Sequence, residues 1–217
     1  MLFILLGLAV AFLQSTPARP RPATALVVLA NPTQAAVPWD AAFKFTAVED
    51  GVLFDIDGDG VVERVAWTAP GAGVAFLALD MDADGRITSG KELIGNQTVV
   101  ESPNGFAALQ HLRSRDGQEP SGAVAPGDPL YRKLLVWQDL NHDGISDANE
   151  LRPAADLFTR IPLGYWRVQR HDEHGNVFWF GSNTEARTAQ GQGAARDAKD
   201  HEARLRPMFE VALVTSG

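Results

Sequence analysis

Three stretches of this chain set acidic or amide side chains on alternate residues and then turn at a glycine: DIDGDGVVE (55–63), DMDADGRITSGKE (80–92) and DLNHDGISDANE (139–150). Oxygens at the first, third and fifth positions of such a run converge on one point, and the glycine lets the backbone fold back around it. That is what a hard cation such as Ca²⁺ requires of a short loop. The three runs hold twelve of the 27 acidic residues and two of the 19 basic ones, within a net charge of −8. The acidity is therefore concentrated in the runs rather than spread as a solubilising coat. Whatever fold this chain adopts must either neutralise those clusters or leave them in water.

In the third run Asp139, Asn141 and Asp143 take positions one, three and five. Gly144 is sixth, Ile145 offers its carbonyl seventh, Asp147 is ninth and Glu150 twelfth. This is the twelve-residue EF-hand ligand spacing, closed by a glutamate able to bind through both oxygens. Its β-branched residue lies seventh, where the usual loop puts it eighth, so any short β-contact with a second loop is expected to differ. The second run supplies Asp80, Asp82, Asp84 and the carbonyl of Arg86, with Ile87 eighth. Its glutamate, Glu92, falls one residue late, and Ser89-Gly90 before it suggests a one-residue bulge, which a glycine tolerates. The first run supplies Asp55, Asp57, Asp59 and the carbonyl of Val61, but position twelve is Ala66, leaving Glu63 at position nine as the fourth carboxylate. The bland reading of all three is an Asp-rich solvated turn; three in one chain favour the metal.

Around these runs the sequence predicts short strands at 43–48, 51–54, 61–67 and 74–79, the first run lying between two of them, while YRKLLVW (131–137) leads into the third run. A helix is expected over 104–113, where Asn104 is a cap and Phe106, Leu109 and Leu112 share one face. KELIG (91–95) reads as a helical turn, 114–129 as an exposed Gly/Pro/Ser-rich loop, Glu150-Leu151 as the start of a short helix and 154–158 as another. GYWRVQR (164–170) and VFWF (177–180) read as a hairpin around HDEHGN, and MFEVALV (208–214) as a last strand. Residues 181–205 are low in apolar content and suggest a flexible segment or a surface helix.

The chain has no cysteine, so disulfides, thiolate metal sites and cysteine catalysis are excluded. No basic stripe interleaves with aromatics, and nucleic acid is not an expected partner. Residues 2–13 form an apolar run shorter than the ~20 residues that span a bilayer. With small residues after it, the run suits a signal peptide over 1–25, although no positive side chain precedes it. A Pro/Ala-rich linker (26–40) and one calcium-binding domain (41–217) would follow.

GVLFDIDGDGVVERVAWTAP, FLALDMDADGRITSGKELIG, NGFAALQHL and LLVWQDLNHDGISDANEL occur here in that order. Their succession resembles exported bacterial EF-hand-like calcium-binding proteins and segments of large proteins of the repeats-in-toxin type. The likeness extends over roughly 43–214 and is looser towards the C-terminus. It implies calcium binding outside the cytoplasm with no established catalytic activity. Where that family often carries another Asp-rich loop after the helix, this chain has RSRDGQEPSGAVAPGDP. Asp116 and Asp128 lie too far apart there for one compact site.

The expectation is thus an exported, monomeric α+β protein, with short antiparallel strands and a few short helices organised around EF-hand-like calcium loops. Calcium would be mainly structural, and the protein not an enzyme. The alternative is an extracellular hydrolase or polymer-binding protein whose fold calcium supports, with a protein or polysaccharide as partner. His171 and His174 are read as residues of an exposed turn. His142 points out of its loop, and His111 lies on the helix surface. No serine sits in a nucleophile-elbow context. The five tryptophans are read as core or sheet-face residues near the sites, with a carbohydrate platform as the lesser reading.

Overall fold

The computed structural model describes residues 21–30, 39–100, 102–118, 121–187 and 204–216. The apolar run at 2–13, most of the linker assigned to 26–40, and much of the polar segment 181–205 lie outside them.

The described residues build a mostly β structure: a curled, antiparallel half-barrel sheet, not an α+β arrangement around EF-hand loops. The elements in chain order are β1 (Thr24–Leu29), α1 (Trp39–Ala42), β2 (Val52–Phe54), β3 (Glu63–Val65), β4 (Val74–Ala78), α2 (Gly105–Arg115), β5 (Ala123–Val124), α3 (Pro129–Lys133), β6 (Leu135–Trp137), β7 (Leu151–Pro153), α4 (Ala154–Leu157), β8 (Phe158–Pro162), β9 (Trp166–His171), β10 (Val177–Ala186) and β11 (Leu205–Ala212). Among the described residues the main sheet has nine strands, ordered β5-β8-β10-β11-β1-β4-β6-β7, with β9 also pairing β10. β2 and β3 form a separate ribbon.

The correction to the fold class has a physical cause. Ligand spacing within a loop is the same whether helices or strands flank it, and here all three runs end in strand pairing. Phe54 pairs with Glu63 across the first run, Ala78 bridges Leu93 across the second, and Trp137 pairs with Leu151 across the third. Leu151 therefore begins β7, not a helix. KELIG is likewise no helical turn: Leu79 N donates to Glu92 O, and Ile94 N to Leu77 O, both at 2.8 Å.

The second correction concerns Thr24–Leu29, placed by the sequence in the leader's end and the linker. TALVVL is β1, buried along its whole length between β11 and β4. An unbroken apolar run buried on both faces is how a central strand reads. Residues 43–48 form no strand; they contribute one bridge, Phe45 to Thr68. The segment 114–129 is not wholly exposed, since Ala123 and Val124 are buried in β5 against β8. The expectations for α2 with its Asn104 cap, for α4, for the β9–β10 hairpin and for the last strand agree with the structure.

Strand alternation gives the sheet two apolar faces. One collects Leu26, Val28, Leu77 and Met208 beneath α2, with Phe106 and Leu109 of that helix. The other collects Val27, Phe76, Phe209 and Val211 beneath β2, β3 and the metal-type loops. On this second face Phe54, Trp67, Phe76 and Trp137 pack with ring centroids 4.6–6.0 Å apart. The loops rest on that aromatic cluster.

Candidate metal centre

The three loops share one backbone. Their fourth residues, Gly58, Ala83 and His142, and their sixth, Gly60, Gly85 and Gly144, all have positive φ. The same three local hydrogen bonds then recur. The sixth amide donates to the first carboxylate, at 3.0, 2.9 and 2.9 Å in loops one to three. The fifth amide donates to the third side chain, at 3.1, 3.2 and 3.2 Å, and the seventh to the fifth side chain, at 2.8, 2.7 and 2.8 Å. In the first two loops each bond occupies one oxygen of its aspartate; in the third, Asn141 has a single oxygen and Asp139 and Asp143 accept at both of theirs.

In the first loop, carboxylate oxygens of Asp55, Asp57 and Glu63 gather within 4.8 Å of one another; in the second, those of Asp80, Asp82 and Asp84 do. Asp55 Oδ1 and Asp80 Oδ1, equivalent atoms of the two loops, are buried and receive no hydrogen bond. A buried anionic oxygen without a donor costs several kcal/mol unless a cation meets it. The electrostatics agree: burial first, then Asp57, Asp55 and Asp59, push the Glu63 carboxyl above its ordinary range. These residues fit a hard divalent ion: clustered carboxylates, no nitrogen or sulfur donor, and a buried, unmet oxygen on one aspartate of each cluster. Asp59 is exposed and keeps its local bond, while the backbones of Val61 and Arg86 lie at their loops' seventh positions.

Glu92 and Glu150 are structural equivalents although one lies thirteenth and the other twelfth. Each accepts from the second amide of its loop: Glu92 from Met81 N at 3.1 Å, Glu150 from Leu140 N at 2.8 Å. The second oxygen of Glu92 takes the Thr88 amide at 2.8 Å and hydroxyl at 3.1 Å. The extra residue is absorbed between Thr88 and Glu92. Gly90 is required there by close approach rather than by φ, because a Cβ would lie 1.7 Å from Ile56 O.

The third loop, whose sequence spacing is the most regular, is the most internally bonded. Asp139 accepts from His142 N, Asp143 N, Gly144 N and the indole of Trp67, the last two at 2.9 Å. Trp137 Nε1 donates to Glu150 at 3.2 Å, Asn141 Nδ2 donates to Asp143 at 2.8 Å, and Asp147 is exposed. The structure does not draw the Asp139, Asp143 and Glu150 carboxylates into a cluster as tight as the other two. Trp67 and Trp137, read from sequence only as neighbours of the sites, are donors to loop carboxylates.

The loops also contact one another. Ser146, eighth in the third loop, accepts from Ile87 N at 2.7 Å and donates to Ile87 O at 3.1 Å. Ile87 is eighth in the second loop, so a serine side chain replaces the usual strand-like contact. Gly90 N donates to Asp55 O at 2.7 Å, joining the second loop to the first, and His142 Nε2 lies 2.9 Å from Asp50 O beside the first.

The remaining candidates are engaged elsewhere. Asp128 pairs with Arg113 at 2.9 Å and Asp116 with Lys133 at 3.2 Å. His111 bonds Ser102. His171 and His174 are exposed at the hairpin turn, but Asn176 in that turn is fully buried, tied to Thr46 O and Val214 N.

Comparison with known proteins places this architecture. The chain is similar to the iron-regulated protein FrpA of Neisseria meningitidis serogroup C, 34% identical over 132 residues; the match covers 58% of this chain and 11% of that protein. Neither that name nor the family description names an enzyme. The SPM domain family matches residues 40–200, which span all three loops, α2 and the β9–β10 hairpin. The chain therefore belongs to the SPM domain family.

Proposed function

We propose that the protein is an exported calcium-binding module in which three Asp-rich hairpin loops each take one Ca²⁺, and that the ion is mainly structural. The observation that carries this reading is the pair of buried, donorless oxygens, Asp55 Oδ1 and Asp80 Oδ1, each inside a cluster of carboxylates. Asp55, Asp57, Asp59, Glu63 and the Val61 carbonyl would hold the first ion. Asp80, Asp82, Asp84, Glu92 and the Arg86 carbonyl would hold the second. Asp139, Asn141, Asp143, Glu150 and the Ile145 carbonyl would hold the third. A divalent ion supplies the positive charge that lets these oxygens approach.

Oxygen-only ligand sets and adaptable loops favour Ca²⁺ over Mg²⁺, which demands tighter octahedral geometry and releases water reluctantly. Extracellular modules bind calcium with Kd of about 10⁻⁴–10⁻³ M. At free calcium several times Kd, each ion then adds on the order of 1 kcal/mol to folding stability. Export gives this affinity its meaning, since only outside the cytoplasm does free calcium reach that range.

Calorimetric titration of the chelator-stripped chain, followed in parallel by circular dichroism, tests the reading. The expected result is three ions per chain with a gain of ordered structure, and one ion lost or weakened in each of Asp57→Ala, Asp82→Ala and Asn141→Ala. A stripped chain that keeps its melting temperature and ignores millimolar calcium would overturn it.

A further inference from the structure

On the α2 face of the sheet, away from the loops, lies a cavity of about 500 Å³. That is within the range of small-molecule sites, roughly 300–1,000 Å³. Glu210 of β11 lines it, 1% exposed. Its Oε1 accepts from the Thr24 hydroxyl and from Gly105 N at 3.0 Å, while its Oε2 is buried and has no partner. Tyr165, Trp179 and Phe180 provide an aromatic wall. Tyr165 stacks on Phe106 at 5.1 Å and meets Phe180 edge-on at 4.9 Å, yet stays 44% exposed.

A break in strand alternation builds that wall. Between Phe178 and Phe180 the register of β10 slips against both β9 and β11. Successive residues of a regular strand face opposite sides; with the bulge, Trp179 and Phe180 line one cavity. Bulges re-aim side chains in this way.

The charge pattern selects the ligand. Burial pushes the Glu210 carboxyl up to about 7, against the pull of its two donors, so both protonation states occur near neutrality. A cation would meet Arg21 and Arg167, which also line the cavity, and an anion would meet Glu210 once ionised. A hydroxyl suits either state, donating to the carboxylate or accepting from the acid. We propose that this cavity binds a saccharide, whose C–H face lies on Tyr165 and Trp179 and whose hydroxyl bonds Glu210 Oε2. Glu210 is the one acid among the described lining residues, so the carboxylate pair of glycoside hydrolysis is not assembled and the site is for binding.

The test is a titration of the calcium-loaded full chain with glucose, galactose, N-acetylglucosamine, maltose and cellobiose at tens of millimolar. Tetramethylammonium and acetate serve as charged controls, and amide and indole NMR shifts are the readout. The proposal expects at least one sugar to shift the Trp179 indole and the amides around Glu210, at pH values on either side of the Glu210 midpoint. Tyr165→Ala, at an exposed position, should weaken that sugar at least several-fold. Silence from every sugar, shifts confined to other surfaces, a response to a charged control alone, or undiminished binding by Tyr165→Ala would each overturn it. Shift mapping on the unmodified chain decides the matter even if the variant does not fold.

Discussion

Ala83 and His142 hold φ near 61° at the fourth position of their loops, where the first loop has Gly58. A side chain in that region is disfavoured by roughly 1–2 kcal/mol, and the chain accepts this because the local hydrogen bonds depend on the turn. Gly90 is the opposite case: its backbone is ordinary, but a Cβ would run into Ile56 O. Gly90→Ala is expected to force the second loop off the first, break the Gly90 N–Asp55 O bond and destabilise the protein by about 2 kcal/mol. Denaturant melts in saturating calcium measure this, and an unchanged midpoint would remove Gly90 as the joint between loops. The aspartates and the sixth-position glycines were legible in the sequence because they act within a few residues. The reason for Gly90 was not, because its neighbour belongs to another loop. Trp67 was hidden in the same way: it follows the first run but donates to Asp139 of the third.

Each metal-type loop is the tip of a strand pair, and the tips are fastened together through single side chains. Ser146→Ala removes both of its bonds to Ile87 and leaves the buried Ile87 amide without a partner, a loss of about 1–3 kcal/mol. The expected signature is a calcium titration whose second and third sites fill more independently, with each site retained. Retained coupling between those sites would show that the contact passes elsewhere. Sequence reading found the loop interiors and missed their flanks. YRKLLVW reads only as the lead-in to the third loop, and the short LRP after Glu150 gives no periodicity to tell a strand from a helical turn. The EF-hand precedent then tipped that ambiguity towards a helix.

At the scale of the molecule, Glu210 links the sheet's stability to pH. Its carboxyl is raised from an ordinary 4.5 to about 7 by burial, so the folded chain holds a proton that the unfolded chain releases. The contribution is fully present below the unfolded value and is lost as pH rises through the folded one. The window from about pH 5 to pH 8 should therefore remove up to about 3 kcal/mol. Glu210→Gln, which cannot ionise, should flatten that fall; comparing the two proteins in saturating calcium cancels the loops' own titration. Parallel pH profiles would mean that Glu210 stays ionised in the folded protein. Little of this was legible beforehand. Glu210 stands in MFEVALV as the polar member of an alternating strand, and only its neighbours Thr24 and Gly105, 186 and 105 residues away, show it to be buried. The sheet's centre was obscured for a related reason, since β1 lies in a stretch whose composition reads as leader and linker.

The central position of β1 and β11 constrains how the protein can be made. Thr24–Leu29, the first strand described, needs Leu205–Ala212, the last, along one edge, and that same closing strand carries β10 on its other side. A polypeptide delivered N-terminus first cannot complete its sheet until the final segment arrives. Until then the stretch from 55 to 150 carries three knots of mutually repelling acids on a sheet still lacking its central partner strand.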